Sequence, residues 1–342
     1  MTDFVTPAGF EEALRAPVRP PRVRITRPVL GRAQGTGEGS ARATLARVAR
    51  GAPEAMVKIT GKTRDAGHLA RHLDYISRNG RLSLEGPDGE RLAGRAEVRE
   101  LAGDWAAELA VESSRRRGAV SMSIVLSMPA GTEAFRVEDA SRAFAERVFG
   151  ERFAWVFVLH DEDRHPHVHL TVRMSGRDGA RLNPRKADLQ EWREVFAEAL
   201  RERGVEAEAT PRRARGVVLK AERTPVRKAW ERFEAGTGPM PRVLAGALRE
   251  AARGTGEGAD WERRALERQR LVRRAYVAEA LALKRSLDPE ERALGAAVEA
   301  FVRGLPRPET RRMRLRDGFM AVRERQGEAV RSQDRDGGGR SR

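Results

Sequence analysis

AWVFVLHDEDRHPHVHLTVRM, residues 154–174, decides how the rest of the chain is read. An apolar run ends at His160, four charged residues follow (Asp161 to Arg164), and then polar and apolar side chains alternate to Met174. Strict alternation is the period of a strand, whose successive side chains leave on opposite faces. The two runs therefore predict a β-hairpin. In the second arm His165, His167, His169, Thr171 and Arg173 share one face, while Pro166, Val168, Leu170, Val172 and Met174 form an apolar face that pins the register. His160, across the hairpin, would complete a three-nitrogen set with His167 and His169. Four of the six histidines fall within these ten residues. Solvent-facing strand histidines are the plain alternative, but a row of imidazoles beside an apolar hairpin is better explained by a partner such as a divalent metal ion. The chain has no cysteine, so any metal must sit on His, Asp or Glu, and such a shell with open positions accepts hard ions once phosphate oxygens join it. Asp161, Glu162 and Asp163 are candidates for orienting a ligating imidazole, or form a solvated turn.

Working outward, SMSIVLSM (121–128) also alternates, with Met122, Ile124, Leu126 and Met128 on one face and the small Ser121, Ser123 and Ser127 with Val125 on the other. GHLARHLDYISRNG (67–80) has helical spacing: Leu69, Leu73 and Ile76 form a buried stripe, His68, His72 and Tyr75 a neighbouring one, and Asn79-Gly80 a stop. Tyr75 alone would read as a half-buried aromatic; beside a metal site it becomes a candidate nucleophile. Tyr276, the only other tyrosine, lies among arginines and is read as packing. The remaining periodicities predict a strand over 55–60 and helices near 65–78, 95–115, 133–149 and 187–204. They also predict helices near 241–254, 259–286 and 290–303.

Lys and Arg number 66 against 50 Asp and Glu, a formal net charge of +16, which calls for a polyanionic partner. No stretch of about eighteen apolar residues exists and the N-terminus lacks an apolar signal core, so membrane insertion and Sec export are not expected. Four regions are expected: a basic, largely disordered arm over 1–54, the sheet domain over 55–215, a helical accessory region over 216–330, and a flexible basic tail over 331–342.

Three strings together carry a family likeness. HLDYISRNG resembles the first motif, SIVLSMPAGT the second and HDEDRHPHVHLTV the third motif of conjugative relaxases, in the MobP-type mobilisation branch of the HUH endonuclease superfamily, and they occur in the family's order within about 55–215. The resemblance implies an α+β fold, a central antiparallel sheet with flanking helices, to which an α-helical C-terminal region is added. It implies a site- and strand-specific enzyme that nicks DNA at a transfer origin, with Tyr75 as nucleophile and a 5′-phosphotyrosine intermediate. His167 and His169 would be the paired metal ligands, His160 the third, and His165 a ligand or acid/base partner. The ion would be Mg²⁺ or Mn²⁺. Glu162 stands where relatives carry Asp, which preserves a carboxylate with a different reach. Arg78 and Arg173 are candidate DNA contacts. Expected partners are single-stranded or supercoiled origin DNA, relaxosome accessory proteins and a type IV secretion coupling protein. The expected location is the bacterial cytoplasm, with export to recipient cells alongside the DNA. Two competing readings are a rolling-circle replication initiator, in which the tyrosine helix often follows the histidines rather than preceding them, and a nonenzymatic basic DNA-binding protein of the relaxosome.

Overall fold

The computed structural model describes residues 38–112, 118–150, 152–162, 165–212, 214–218, 224–252 and 260–317. The expected tail, and the arm before residue 38, lie outside these residues. The chain divides into two compact units at Pro211/Arg212. In the first unit, helix α1 (Glu38–Ala49) precedes β1 (Met56–Thr63), α2 (Ala66–Ile76), β2 (Leu84–Glu85), β3 (Arg91–Leu92) and α3 (Gly94–Glu112). Then come β4 (Ser121–Ser127), α4 (Ala134–Val148), β5 (Trp155–His160), β6 (His167–Arg173) and α5 (Lys186–Glu202). The strands form one six-stranded antiparallel sheet in the order β1-β4-β6-β5-β2-β3. The chain leaves β4 through α4, enters β5 two positions away, and returns as β6 in the gap. The fold is thus the expected α+β arrangement.

Both faces of the sheet are covered. On one, Met122, Ile124 and Leu126 of β4, Val168, Leu170 and Val172 of β6, and Trp155 and Phe157 of β5 bury against Phe144 of α4 and Trp192, Phe196 and Leu200 of α5. Each such large side chain contributes about 1.5–3 kcal/mol of transfer free energy. On the other, Leu69, Leu73 and Ile76 of α2 and Val98, Ala102 and Trp105 of α3 pack on Val156 and Val158 of β5. The serines of β4 face this second layer. The short strand β2, next to the edge strand β3, is held by Glu85, a buried carboxylate gripped by the Arg142 guanidinium of α4.

Three features depart from the sequence reading. Helix α1 lies inside the stretch expected to be a disordered arm, because Leu45 and Val48 are one turn apart and bury. Strand β6 begins at His167, not His165: Pro166 lacks the amide a ladder needs, so pairing starts after it. Strands β2 and β3, two residues each, were too short to show a period.

In the second unit α6 (Thr224–Glu234), α7 (Arg242–Ala252), α8 (Asp260–Lys284) and α9 (Pro289–Gly304) follow. Helices α8 and α9 pack closely at Gly295, where an added Cβ would stand 2.9 Å from the Ala280 carbonyl oxygen. Tyr276 is buried, and its hydroxyl donates to the Ala214 carbonyl at 2.9 Å, which agrees with a packing role.

Helix α2 is capped by Asp65, whose side chain accepts from the His68 amide at 2.7 Å. Past its end the backbone is left-handed at Arg78, Asn79 and Gly80 in succession. Gly80 (φ +81°) has no room for a side chain, since a Cβ would meet the Arg95 amide nitrogen at 2.4 Å. Gly80→Ala is therefore expected to lose about 2–3 kcal/mol from combined left-handed strain and backbone overlap, measured by chemical denaturation.

Candidate active site

The hairpin register assembles the site. His160 and His167 are direct cross-strand partners in the β5/β6 ladder, and His169 lies two residues further on the same face. The donor atoms of these three rings lie within 4.8 Å of one another, with ring centroids 5.3 Å (His160–His167), 4.6 Å (His160–His169) and 5.1 Å (His167–His169) apart. His160 is 6% exposed.

Two backbone carbonyls orient the rings. His160 Nε2 lies 2.7 Å from the carbonyl oxygen of Ile76, and His167 Nδ1 lies 3.0 Å from that of His165. A carbonyl oxygen only accepts, so each of those nitrogens carries the proton, leaving the Nδ1 lone pair of His160 and the Nε2 lone pair of His167 free. Burial, followed by the neighbouring imidazoles and Arg78, pushes His169 down to about 3. Burial also lowers His160, against the opposing hydrogen bond to Ile76. Three imidazole nitrogens this close together suit a divalent cation, and His160, His167 and His169 are the residues that would hold it.

Tyr75 reaches this cluster from α2. It is 71% exposed, and its ring meets His169 edge-on with centroids 6.3 Å apart. Two clefts flank it. One, of about 410 Å³, is lined by Tyr75, Arg78, Asn79, Arg81 and the three histidines. The other, of about 370 Å³, runs past Lys62, His68, His72, Tyr75 and His169. Tyr75 and His169 border both, so a chain laid across the two would pass over the phenol.

The other sequence candidates fall differently. His165 is exposed, precedes the strand, and reaches the cluster through its carbonyl; its ring is not part of the histidine set. Glu162 orients no histidine in the contacts seen, but pairs with Arg78 (Nη2 to Oε2, 2.9 Å). Arg78 lines the cleft with its Nε buried and without a hydrogen-bond partner. Arg173 is largely buried and ion-paired with Glu108 of α3, which gives it a partner within the fold. Sequence reasoning missed the two carbonyls, which no side-chain pattern encodes, and Asn79, Arg81 and Lys62, which become cleft residues only through the turn after α2 and the position of β1.

An antiparallel sheet that presents three clustered imidazoles to an exposed tyrosine, amid Arg78, Arg81 and Lys62, is built to receive an anion. The family comparison is specific about the class. Residues 88–205 match the family described as "Relaxase: MobA/VirD2-like, nuclease domain". The matched span takes in all three histidines and begins after Tyr75. The chain is 27% identical over 182 residues to a T-DNA border endonuclease VirD2 of Rhizobium radiobacter, covering 46% of this chain and 41% of the relative. It is 26% identical over 182 residues to the VirD2 of Agrobacterium fabrum, covering 46% and 39%. The chain thus spans about two fifths of the length of these curated relatives. A solved structure titled "Molecular Basis of Vancomycin Resistance Transfer in Staphylococcus aureus" aligns over 46% of this chain and 99% of its own at 14% identity, with a TM-score of 0.32, too loose to argue from. Among the described residues no helix is long and apolar enough to cross a membrane.

Two outcomes test the cluster. His167→Ala and His169→Ala are each expected to weaken Mn²⁺ binding at least tenfold, measured by titration calorimetry. In chelator, the unfolded chain takes up a proton below about pH 6.5 that folded His169 refuses. Stability should therefore fall as pH drops from about 6.5, and His169→Gln should flatten the slope between pH 6.5 and 5, above the carboxylate range.

Proposed function

We propose that this protein is a DNA relaxase that nicks one strand at a transfer origin by tyrosine transesterification, with Tyr75 as nucleophile. The observation that carries the reading is the edge-on approach of an exposed phenol to a cluster of three imidazoles. In the reaction the Tyr75 oxygen, having given up its proton, attacks the scissile phosphorus. A tyrosyl O–P bond forms as the P–O3′ bond breaks, and the departing 3′ oxygen takes a proton. One phosphodiester is exchanged for another, so the step is reversible and the strand can later be rejoined. The protein remains joined to the 5′ end.

Each residue has a task in this scheme. His160, His167 and His169 would hold Mg²⁺ or Mn²⁺, which when bound supplies Lewis-acid neutralisation of the phosphate charge. Arg78 offers a guanidinium to a strand phosphate, and Glu162 holds that guanidinium in place until DNA arrives. His165 serves through its carbonyl, keeping the Nε2 lone pair of His167 free. The excess of basic residues supports affinity for a polyanion that falls as salt rises. The expected setting is conjugative mobilisation, with relaxosome proteins and a type IV secretion coupling protein as partners, and delivery from the bacterial cytoplasm into recipient cells.

The test uses single-stranded oligonucleotides tiled across the DNA flanking the protein's own gene. The full chain and Tyr75→Phe are incubated with them in Mn²⁺ or Mg²⁺, with and without chelator. The expected result is a protease-sensitive covalent adduct, formed by the wild type with metal and at least a thousandfold weaker in Tyr75→Phe. Binding without any adduct would replace this reading with that of a nonenzymatic DNA-binding protein.

A further inference from the structure

Helix α2 carries an inward imidazole, His72, one turn before Tyr75. Its Nε2 lies 3.0 Å from Thr171 Oγ1 and 2.9 Å from Ser123 Oγ. Those two hydroxyls belong to neighbouring strands and are direct cross-strand partners, Ser123 of β4 opposite Thr171 of β6. Both residues are nearly inaccessible to solvent, Ser123 at 5% and Thr171 at 0%. A single imidazole therefore ties the helix to two strands at once.

Thr171 is two residues from His169 on the same face of β6, a separation of about 6.5 Å along a strand. Tyr75 is three residues from His72, about 4.5 Å along a helix. The two steps run side by side: His72 meets Thr171, and one turn later the Tyr75 ring meets His169. The apolar contacts of Leu69, Leu73 and Ile76 hold α2 against the sheet, but apolar packing is non-directional and sets the distance better than the slide or rotation. Hydrogen bonds to two fixed hydroxyls are directional. Small serine and threonine side chains at this point also leave the helix room for an imidazole beneath it. At its far end, the Ile76 carbonyl accepts from His160, so polar contacts bracket Tyr75 in sequence.

We propose that His72 is a positioning residue: by bridging Ser123 and Thr171 it fixes the register of helix α2 on the sheet and so aims Tyr75 at the imidazole cluster. This rests on Tyr75 being the nucleophile. The role is indirect, because His72 acts through the placement of the phenol.

The test compares full-length wild type, His72→Ala, His72→Gln, the Ser123→Ala/Thr171→Val double variant and the corresponding triple variant with His72→Ala. Adduct formation is timed at saturating oligonucleotide and Mn²⁺, Mn²⁺ affinity is read by calorimetry, and oligonucleotide affinity by fluorescence anisotropy. The expected result is a ten- to hundredfold slower adduct step in His72→Ala and in the double variant, because small displacements of a reacting group cost about that much. Both affinities should stay within about threefold of wild type, His72→Gln should recover part of the rate, and the triple variant should be no slower than the double. A double variant that reacts at the wild-type rate overturns the proposal, as does a loss of metal or oligonucleotide affinity that matches the loss of rate. If His72→Ala does not fold, the rate of the double variant, which keeps the imidazole and nearly all the side-chain volume, decides the matter. Wild type that forms no adduct removes the relaxase reading and this one together, whereas normal adduct with unaffected variants removes this one alone.

Discussion

The register between β5 and β6 is the constraint on which the site depends. With His160 opposite His167, every second residue of β6 faces α2 and the others face the core under α4 and α5. A slip by one residue would exchange the two sets, driving His167 and His169 into that core and turning Val168, Leu170 and Val172 out of it. Three buried aliphatic side chains at about 1.5–3 kcal/mol each oppose the exchange, and so does the desolvation of two imidazoles. The histidine cluster is thus fixed by the packing of its opposite face.

Helix α2 answers a different requirement. A tyrosine that is 71% exposed contributes little to the core, so its position must be set by its neighbours. Leu69, Leu73 and Ile76 supply adhesion, and the left-handed run from Arg78 to Gly80 ends the helix sharply enough to bring Arg78, Asn79 and Arg81 around one cleft with Tyr75. The carbonyl of Ile76, near the end of α2 where carbonyls lack helical partners, finds its donor in His160. One bond therefore satisfies the helix terminus and fixes the tautomer of a candidate ligand, coupling the helix that carries Tyr75 to the histidine hairpin.

Much of this is legible in the amino-acid sequence alone. Alternation in β4 and β6 and helical spacing in α2 follow directly from strand and helix periods, and they are enough to place His160, His167, His169 and Tyr75 as candidates. Illegible are features with no period or side-chain signature. Strands β2 and β3 have two residues each and exist because the sheet edge offers them a partner. The consequence of Pro166 is visible in principle: a residue with no amide can accept from a neighbouring strand but cannot donate to it, so the two-way pairing starts at His167 and leaves His165 outside the strand. The Glu162–Arg78 pair joins a hairpin loop to a helix end more than eighty residues earlier, a contact that tertiary structure alone creates. Arg173 has the alternation of an active-site face, but Glu108 on α3 claims it; the helix is legible from its own residues, its pairing with β6 is not.

The charge of the cluster follows from its ligand types. Three imidazoles contribute no negative charge, and burial holds His160 and His169 neutral against protons. Carboxylate ligands would cancel most of a divalent cation's charge, whereas an all-nitrogen shell would leave it available to whatever anion completes the coordination. Among the described residues the ligand group is made of histidines alone, and Glu162 of the hairpin loop is paired with Arg78 rather than with an imidazole. The ligand set as built therefore lacks an anion of its own. A phosphodiester is the kind of ligand that would supply one while also meeting Arg78, Arg81 and Lys62 along the clefts on either side of Tyr75.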